Sequence, residues 1–244
     1  MEIPVKRLKW LLIGLLILTL LSSCSTVGRK PQSYRLPPIA QSNEAIAQSW
    51  FDGVEPIFVG FKMGTAFAVG LDESSVYWMT AAHVVGQTEN VRIGTRKGHV
   101  IALEVNQDLA IVRTNRSQPW GRIHRFSQTS TGTLAIGVGH SWFSGNPVTM
   151  IHIGWVVSTD FRCWNGNWRI VTNGGGRGGM SGGPLFNTRR GVIGICSFFA
   201  DTGINRAANP SELCYVPGIV AGMFWNQVNR DLIAANDAGN TEIE

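Results

Sequence analysis

Charged residues are scarce in this chain: Asp, Glu, Lys and Arg make up 15% of its 244 residues, whereas 44% are hydrophobic. That balance excludes an intrinsically disordered chain and predicts a folded core. The cations form no run with interleaved aromatic residues. The formal charge of +5 therefore gives no reason to expect a nucleic-acid partner.

Cysteine is also rare, and its four residues form no metal-binding pattern, because CxxC and HExxH are absent and His and Cys are not clustered. We therefore predict no metal and no other cofactor. If Cys24 carries a lipid, three cysteines can take part in disulfide bonds: Cys163, Cys196 and Cys214. An odd number of cysteines in an exported protein allows at most one disulfide and leaves one thiol over.

The sequence has no apolar run long enough to cross a membrane as a helix, which needs about 20 residues. The apolar stretch from Trp10 to Leu21 is shorter, and it follows a basic head within residues 1–9. This layout is typical of an export signal. An uncleaved anchor helix is the alternative interpretation.

The stretch Leu21-Ser22-Ser23-Cys24 resembles the lipobox of bacterial lipoproteins. The resemblance implies that residues 1–23 are a removed signal peptide and that Cys24 is acylated, anchoring the protein in a membrane of the bacterial cell envelope. Removing three cations and one acid with the signal lowers the formal charge to +3. An Asp directly after the lipidated cysteine would resemble an inner-membrane retention signal, but this position is Ser25. The resemblance therefore favours the periplasmic side of the outer membrane if the host has two membranes. Residues 24–49 are polar and proline-bearing and read as a tether.

Short β-branched and aromatic runs recur from residue 57 onward, separated by Gly, Asn, Asp and Ser, and they predict an all-β sandwich or barrel. The predicted strands are Ile57–Phe61, Thr65–Val69, Val76–Thr80, Val91–Thr95, His99–Val105, Leu109–Arg113, Thr133–Val138, Val148–Val157, Trp168–Thr172, Gly191–Phe199 and Leu213–Pro217. Residues 117–120 form the best break between two series of strands. Only residues 219–235 have helical spacing, and residues 236–244 are assigned to a tail.

Ser181 lies in G-G-M-S-G-G-P, where the letters G-x-S-x-G also match the nucleophile elbow of α/β-hydrolases. That fold needs a histidine after the serine. The last histidine of this chain is His152, so the elbow interpretation is excluded. The remaining order of catalytic groups is histidine, acid, serine.

Four acids lie between His83 and Ser181: Glu89, Glu104, Asp108 and Asp160. Asp108 opens the apolar strand D-L-A-I-V, where a carboxylate can be half buried and still reach an imidazole. Asp160 is read as a turn cap and the two glutamates as solvent-exposed. His83 follows an apolar strand in T-A-A-H-V-V, whereas His99, His124, His140 and His152 are read as surface or packing residues.

The motifs G-T-A-F-A-V (residues 64–69), T-A-A-H-V-V (80–85), D-L-A-I-V (108–112) and G-M-S-G-G-P-L (179–185) resemble those of trypsin-like serine peptidases, in particular the compact bacterial type. The resemblance implies a chymotrypsin-like fold of two six-stranded antiparallel β-barrels, about 50–117 and 118–218, followed by a C-terminal helix. It also implies a His83–Asp108–Ser181 triad and an oxyanion hole made by the N–H groups of Gly179 and Ser181.

The same resemblance implies a substrate-binding edge strand at Ser197, Phe198 and Phe199 and an S1 pocket floored by Gly175. Without a carboxylate in that pocket, we predict small or medium uncharged P1 residues, because a buried Lys or Arg would have no counter-charge. Inward movement of Arg177 would instead favour an acidic P1.

Two further features follow from the resemblance. Met180 occupies the position of the Asp that pairs with a new N-terminus in activatable relatives, so zymogen activation by that salt bridge is not expected. Cys196 and Cys214 lie on strands that the family places beside the specificity pocket, and we predict a disulfide between them with Cys163 left as a thiol.

These observations predict a monomeric serine endopeptidase acting on protein or peptide substrates through an acyl-enzyme. Two alternatives remain: a catalytically inactive binding module of the same fold, or an esterase or transacylase using the same triad.

Overall fold

The first six strands of the chain form a closed barrel, in the order β1-β2-β3-β6-β5-β4. The computed structural model describes residues 49–116, 121–162, 168–174, 177–199 and 213–240, all within one compact unit of residues 44–244. The strands of this barrel are β1 (Val54–Val59), β2 (Lys62–Leu71), β3 (Ser75–Thr80), β4 (Asn90–Ile93), β5 (Arg96–Glu104) and β6 (Leu109–Asn115).

A second closed barrel follows, in the order β10-β11-β12-β9-β8-β7. Every strand pair in both barrels is antiparallel. Its strands are β7 (Leu134–Phe143), β8 (Asn146–Arg162), β9 (Trp168–Thr172), β10 (Pro184–Asn187), β11 (Val192–Phe199) and β12 (Leu213–Pro217). The predicted fold class is confirmed.

Residues 49–51 are helical at the start of the described chain. Two further helices follow: the single turn α1 (Ala82–Val85) between β3 and β4, and the C-terminal α2 (Gly218–Asn240). Within the described residues, no helix is both long and apolar enough to span a membrane. Residues 1–48, including Cys24 and the predicted signal, lie outside the described residues, as does the predicted break at 117–120.

Strand β2 is apolar along most of its length because both of its faces are buried. Ala66 and Ala68 point into the core of the first barrel, whereas Phe67 and Val69 point outward into a second core, which also contains residues of β11, β12 and α2. Because successive side chains of a strand face opposite sides, both faces of β2 are buried. The outer core joins the two barrels and fixes the loops between them.

The predicted disulfide between Cys196 and Cys214 is wrong: the two buried cysteines are not joined. Cys196 lies in the interior core of the second barrel together with Leu213 and Tyr215. Cys214 stands between those two residues on β12, so its side chain points to the opposite face of the strand. A disulfide would need both Cβ vectors to converge. Cys163 lies outside the described residues.

Candidate active site

His83 is the second residue of α1, directly after the buried strand β3. Its backbone N–H donates to Asp108 Oδ1 (2.9 Å), and its ring Nδ1 lies 3.0 Å from Oδ1 and 2.9 Å from Oδ2 of the same carboxylate. The His83 side chain is 36% exposed, against 6% for Asp108. The Nδ1 edge of the imidazole is therefore held by a buried carboxylate, while the rest of the ring is partly exposed.

Asp108 immediately precedes β6 and has a left-handed backbone, with φ of +60°. Aspartate is one of the few residues that tolerates this conformation. Its Oδ2 also accepts the hydroxyl proton of Ser197 (2.5 Å), a fully buried residue of β11. The second barrel thus helps to orient an acid carried by the first.

Ser181 lies in the loop between β9 and β10, and this loop packs against the segments that carry His83. The Ser181 carbonyl accepts the backbone N–H of Thr65 at 2.8 Å. A Cβ on Gly64 would lie 3.0 Å from the Ser181 carbonyl oxygen and 2.6 Å from Val84, the neighbour of His83. A Cβ on Gly182 would lie 2.8 Å from the backbone nitrogen of Ala81. The Ser181 loop therefore lies against β2 and against Ala81, the residue before α1.

Gly179 has φ of +97°, and a Cβ there would lie 2.6 Å from the carbonyl oxygen of His140. Both the backbone conformation and the close approach require glycine at this position. Met180 is buried in the interior core of the second barrel. The residues on either side of Met180, Gly179 and Ser181, are thus held in a tight loop.

The other acids between His83 and Ser181 do not approach this group. Asp160 is exposed, and its Oδ1 accepts the Ser158 hydroxyl (2.9 Å). Glu104 accepts the N–H of Asn106, and Glu89 is exposed. Of these four acids, Asp108 is the one whose carboxylate contacts the His83 ring.

The remaining histidines are one exposed residue, His99, and three buried ones. Desolvation by burial lowers the pKa of His124 and of His152 to about 4, and it also lowers the pKa of His140. These three side chains belong to the packing of the fold.

The predicted substrate-binding residues are only partly described. The backbone of β11 runs through Ser197, Phe198 and Phe199 and pairs with β12 on one side. The side chain of Ser197 binds Asp108, a contact that the sequence does not signal. Gly175 lies outside the described residues.

Cys196 and Arg169 are two further buried groups near the acid. Burial, followed by the negative charge of Asp108, raises the pKa of the Cys196 thiol to about 12, so this sulfur stays protonated and is not a nucleophile. Arg169 on β9 is fully buried and donates to the side chain and the carbonyl of Gln107, at 3.4 and 3.3 Å. It ties the turn before Asp108 to the second barrel.

Two surface cavities, of about 210 and 710 Å³, occur in the described residues around Ser127, Gln128 and Thr129. Neither is lined by His83, Asp108 or Ser181, so neither defines the site. Among the described residues, no group of three His, Cys, Asp or Glu side chains could hold a metal ion. The chemistry available here is a buried carboxylate, an oriented imidazole and a serine in a glycine-framed loop.

Comparisons with known proteins concern the family and the fold. A family model described as a trypsin-like peptidase domain matches residues 64–195. A crystal structure of Rv3671c from M. tuberculosis H37Rv, a serine-to-alanine mutant in an inactive form, is similar with a TM-score of 0.59 and 19% sequence identity. The similarity covers 78% of this chain and 93% of that one, and at this identity it concerns the fold alone. No curated protein matches the chain.

Proposed function

The chain belongs to the trypsin-like peptidase domain family, and from this premise we propose that it is a serine endopeptidase using His83, Asp108 and Ser181. The observation that carries the proposal is the His83–Asp108 pair. A buried carboxylate contacts Nδ1 with both oxygens and also accepts the His83 N–H. Such a pair holds one ring nitrogen so that the other can act as a base.

In the proposed reaction, Ser181 Oγ attacks the carbonyl carbon of a peptide bond while His83 Nε2 takes the hydroxyl proton. The tetrahedral intermediate collapses, the C–N bond breaks, and His83 returns the proton to the leaving amine. A water molecule then attacks the acyl-enzyme with the same base, and its proton returns to Ser181. Asp108 keeps Nδ1 protonated and stabilises the imidazolium at each transfer.

The backbone N–H groups of Gly179 and Ser181 are the proposed donors to the oxyanion. A donor of this kind is worth about 3–4 kcal/mol in the transition state. The positive φ of Gly179 supports this role, because a residue with a side chain could not adopt this turn without strain.

The proposed substrate is an extended peptide that adds as a strand along Ser197–Phe199 of β11. The S1 pocket at Gly175 is proposed to select small or medium uncharged P1 residues. The test is digestion of casein by the purified protein, with cleavage sites mapped by mass spectrometry. We expect cleavage after residues such as Ala, Val or Leu in wild type and none in Ser181→Ala.

Ser158→Ala is the matched control, because it removes the hydroxyl of a half-buried serine that hydrogen-bonds Asp160, and it should cleave like wild type. Hydrolysis of simple esters without casein cleavage would contradict an endopeptidase. Dominant cleavage after Lys or Arg would overturn the pocket assignment, and cleavage after Glu would assign specificity to Arg177.

We further propose that acylated Cys24 anchors the peptidase in the bacterial cell envelope, on the periplasmic side of the outer membrane if the host has two membranes. The lipobox-like sequence supports this location. We expect Cys24→Ser, expressed in a bacterial host, to lose incorporation of labelled fatty acid and to leave the membrane fraction. Cys214→Ser should retain both properties, because it changes a buried cysteine of the second barrel. Membrane retention of Cys24→Ser without lipid would contradict the proposal and favour an uncleaved anchor helix.

A further inference from the structure

The loop that carries the proposed oxyanion donors contains a turn of defined type. The N–H of Met180 donates to the carbonyl of Arg177 at 3.2 Å. Gly179 has φ of +97°, whereas Gly178 lies outside the left-handed region. A four-residue turn with a positive φ only at its third residue is type II. This turn sets the direction of the Gly179 N–H, but it does not by itself hold the loop in place.

Thr65 of β2 binds the backbone on both sides of Met180. Its hydroxyl donates to the carbonyl of Gly179 (2.8 Å), and its N–H donates to the carbonyl of Ser181 (2.8 Å). The same hydroxyl accepts the N–H of His140 at 2.8 Å, so its single proton is directed at Gly179. Thr65 has no exposed surface, and water therefore does not replace these bonds.

The position of Thr65 is itself fixed. Its carbonyl accepts the Thr80 hydroxyl at 2.7 Å, and Thr80 is the last residue of β3 before the turn that carries His83. The two hydrogen bonds of its hydroxyl, to the Gly179 carbonyl and from the His140 N–H, hold the side chain in one rotamer. Thr65 thus connects the loop of Ser181 to the segment of the proposed base.

Met180 anchors the same loop to the other barrel. It is 3% exposed, lies in the interior core of the second barrel and packs against Gly139. Being uncharged, it forms no ion pair that could hold the loop. The loop is therefore clamped by an apolar contact in the second barrel and by the hydrogen bonds of Thr65 in the first.

We propose that Thr65 is the positioning residue of the oxyanion hole, holding the N–H groups of Gly179 and Ser181 at the spacing that a tetrahedral oxyanion requires. This proposal rests on the proposed function. Thr65 touches neither substrate nor reacting atoms; it acts through the two carbonyls that it binds. The loop is then held in its working form by a side chain of the mature fold, without a newly formed N-terminus.

Thr65→Val tests the proposal, because valine has almost the same shape but lacks the hydroxyl, leaving the Gly179 carbonyl and the His140 N–H without this partner. Activity is measured as kcat and KM for a peptide substrate, per active site titrated with a fluorophosphonate. We expect kcat to fall about tenfold or more with KM changed less than about twofold, because the loss affects the transition state.

Affinity for a peptide aldehyde inhibitor provides a second readout. Its adduct with Ser181 places an oxygen in the oxyanion hole, so its binding should weaken by the same factor as kcat. Thr65→Ser keeps the hydroxyl and should restore both values to within about threefold of wild type. If Thr65→Val does not fold, Thr65→Cys takes its place, and its weakly donating thiol should give an intermediate kcat.

Thr114→Val is the matched control. Thr114 is a buried threonine of β6 whose hydroxyl accepts the Trp78 indole N–H at 2.9 Å. This variant should lower the melting temperature and leave kcat per titrated site unchanged. A Thr65→Val enzyme with wild-type kcat and aldehyde affinity, or a Thr65→Ser enzyme as impaired as Thr65→Val, would overturn the positioning role while leaving the peptidase intact. An inert wild-type protein would refute the proposed function and the positioning role with it.

Discussion

Asp108 is the residue whose surroundings define the candidate site most clearly. Its carboxylate is buried, and it accepts hydrogen bonds from the His83 backbone, the His83 ring and the Ser197 hydroxyl. Charge-assisted hydrogen bonds of this kind are about twice as strong as neutral ones. The donors come from both barrels, so all of these hydrogen bonds can form only when the two barrels are packed together.

Asp108→Asn tests the acid. Asparagine also tolerates a left-handed backbone, so the fold should persist, but its neutral amide favours the wrong tautomer of His83. We expect kcat to fall roughly 10⁴-fold while KM and the melting temperature change little. The control is Asp160→Asn, at an exposed carboxylate that binds only Ser158, and it should keep full activity. Reversed results for the two variants would show that the acid is wrongly assigned.

At the scale of elements, α2 links the end of the chain to the first barrel. Trp225 of α2 packs against Tyr77 of β3, with ring centroids 5.5 Å apart. A Cβ on Gly70 of β2 would lie only 2.2 Å from a ring carbon of Trp225. Glycine at 70 is therefore needed for the close approach of the helix, and the packing of α2 depends on it.

Gly70→Ala should displace α2 and lower the free energy of unfolding by about 1–3 kcal/mol, as overpacking of a filled core does. Urea unfolding measures this loss. Because α2 lies outside the proposed triad, kcat per titrated site should stay unchanged. In a Trp225→Leu background the same substitution should cost less, since the smaller side chain leaves room for a methyl group. An equal cost in both backgrounds would contradict the contact.

The elements were predictable where side-chain alternation is regular. Eleven of the strands of the two barrels coincide with predicted runs, nine of them with different ends. Phe61, predicted as the end of a strand, lies in the turn between β1 and β2, because Gly60 adopts φ of +58° and reverses the chain there. The four-residue strand β10 was missed because Pro184–Asn187 is too short to show a period. Short strands are defined by their neighbours, which a single sequence does not reveal.

The candidate site also has a part that the sequence predicts and a part that it does not. His83, Asp108 and Ser181 can be proposed from the sequence because motif order and the small number of acids leave few choices. The contacts of Ser197 with Asp108 and of Thr65 with Gly179 join residues 89 and 114 positions apart. Both contacts form only when the second barrel packs on the first, so no local pattern in the sequence predicts them. The predicted disulfide failed because strand adjacency does not specify which face a side chain takes.

For the whole molecule, the shared core between the barrels holds the site together, and buried histidines make that packing sensitive to acid. His124 lies against Phe67 and Phe186 in this region, and its Nε2 contacts the carbonyl of Asp52 at 2.9 Å. Desolvation lowers its pKa to about 4. Protonation would place a charge among aromatic rings, at the contact between the start of the described chain and the two barrels.

We therefore expect stability to rise with pH between about 4 and 6.5. In that window an unfolded histidine, with a pKa near 6.5, binds more protons than the native one, so folding is opposed by acid. Above about pH 6.5 the free energy of unfolding is not reduced by this histidine. As the pH falls from about 6.5 towards 4, each such histidine lowers the free energy of unfolding by an amount on the order of 1–3 kcal/mol.

Urea unfolding at several pH values measures this slope. His124→Gln keeps a donor for the Asp52 carbonyl but cannot titrate, so its slope should be shallower than that of wild type. An identical slope would show that His124 does not contribute to acid sensitivity.

The most direct measurement of the central claim is covalent labelling of the full-length protein with a fluorophosphonate, followed by identification of the modified residue by mass spectrometry. A serine hydroxyl reacts rapidly with this reagent only when a neighbouring base and an oxyanion hole activate it. We predict one label per chain, on Ser181, with labelling abolished in Ser181→Ala and slowed at least a hundredfold in His83→Ala. Absence of labelling in the folded wild type, or a label on a serine other than Ser181, would contradict the proposal.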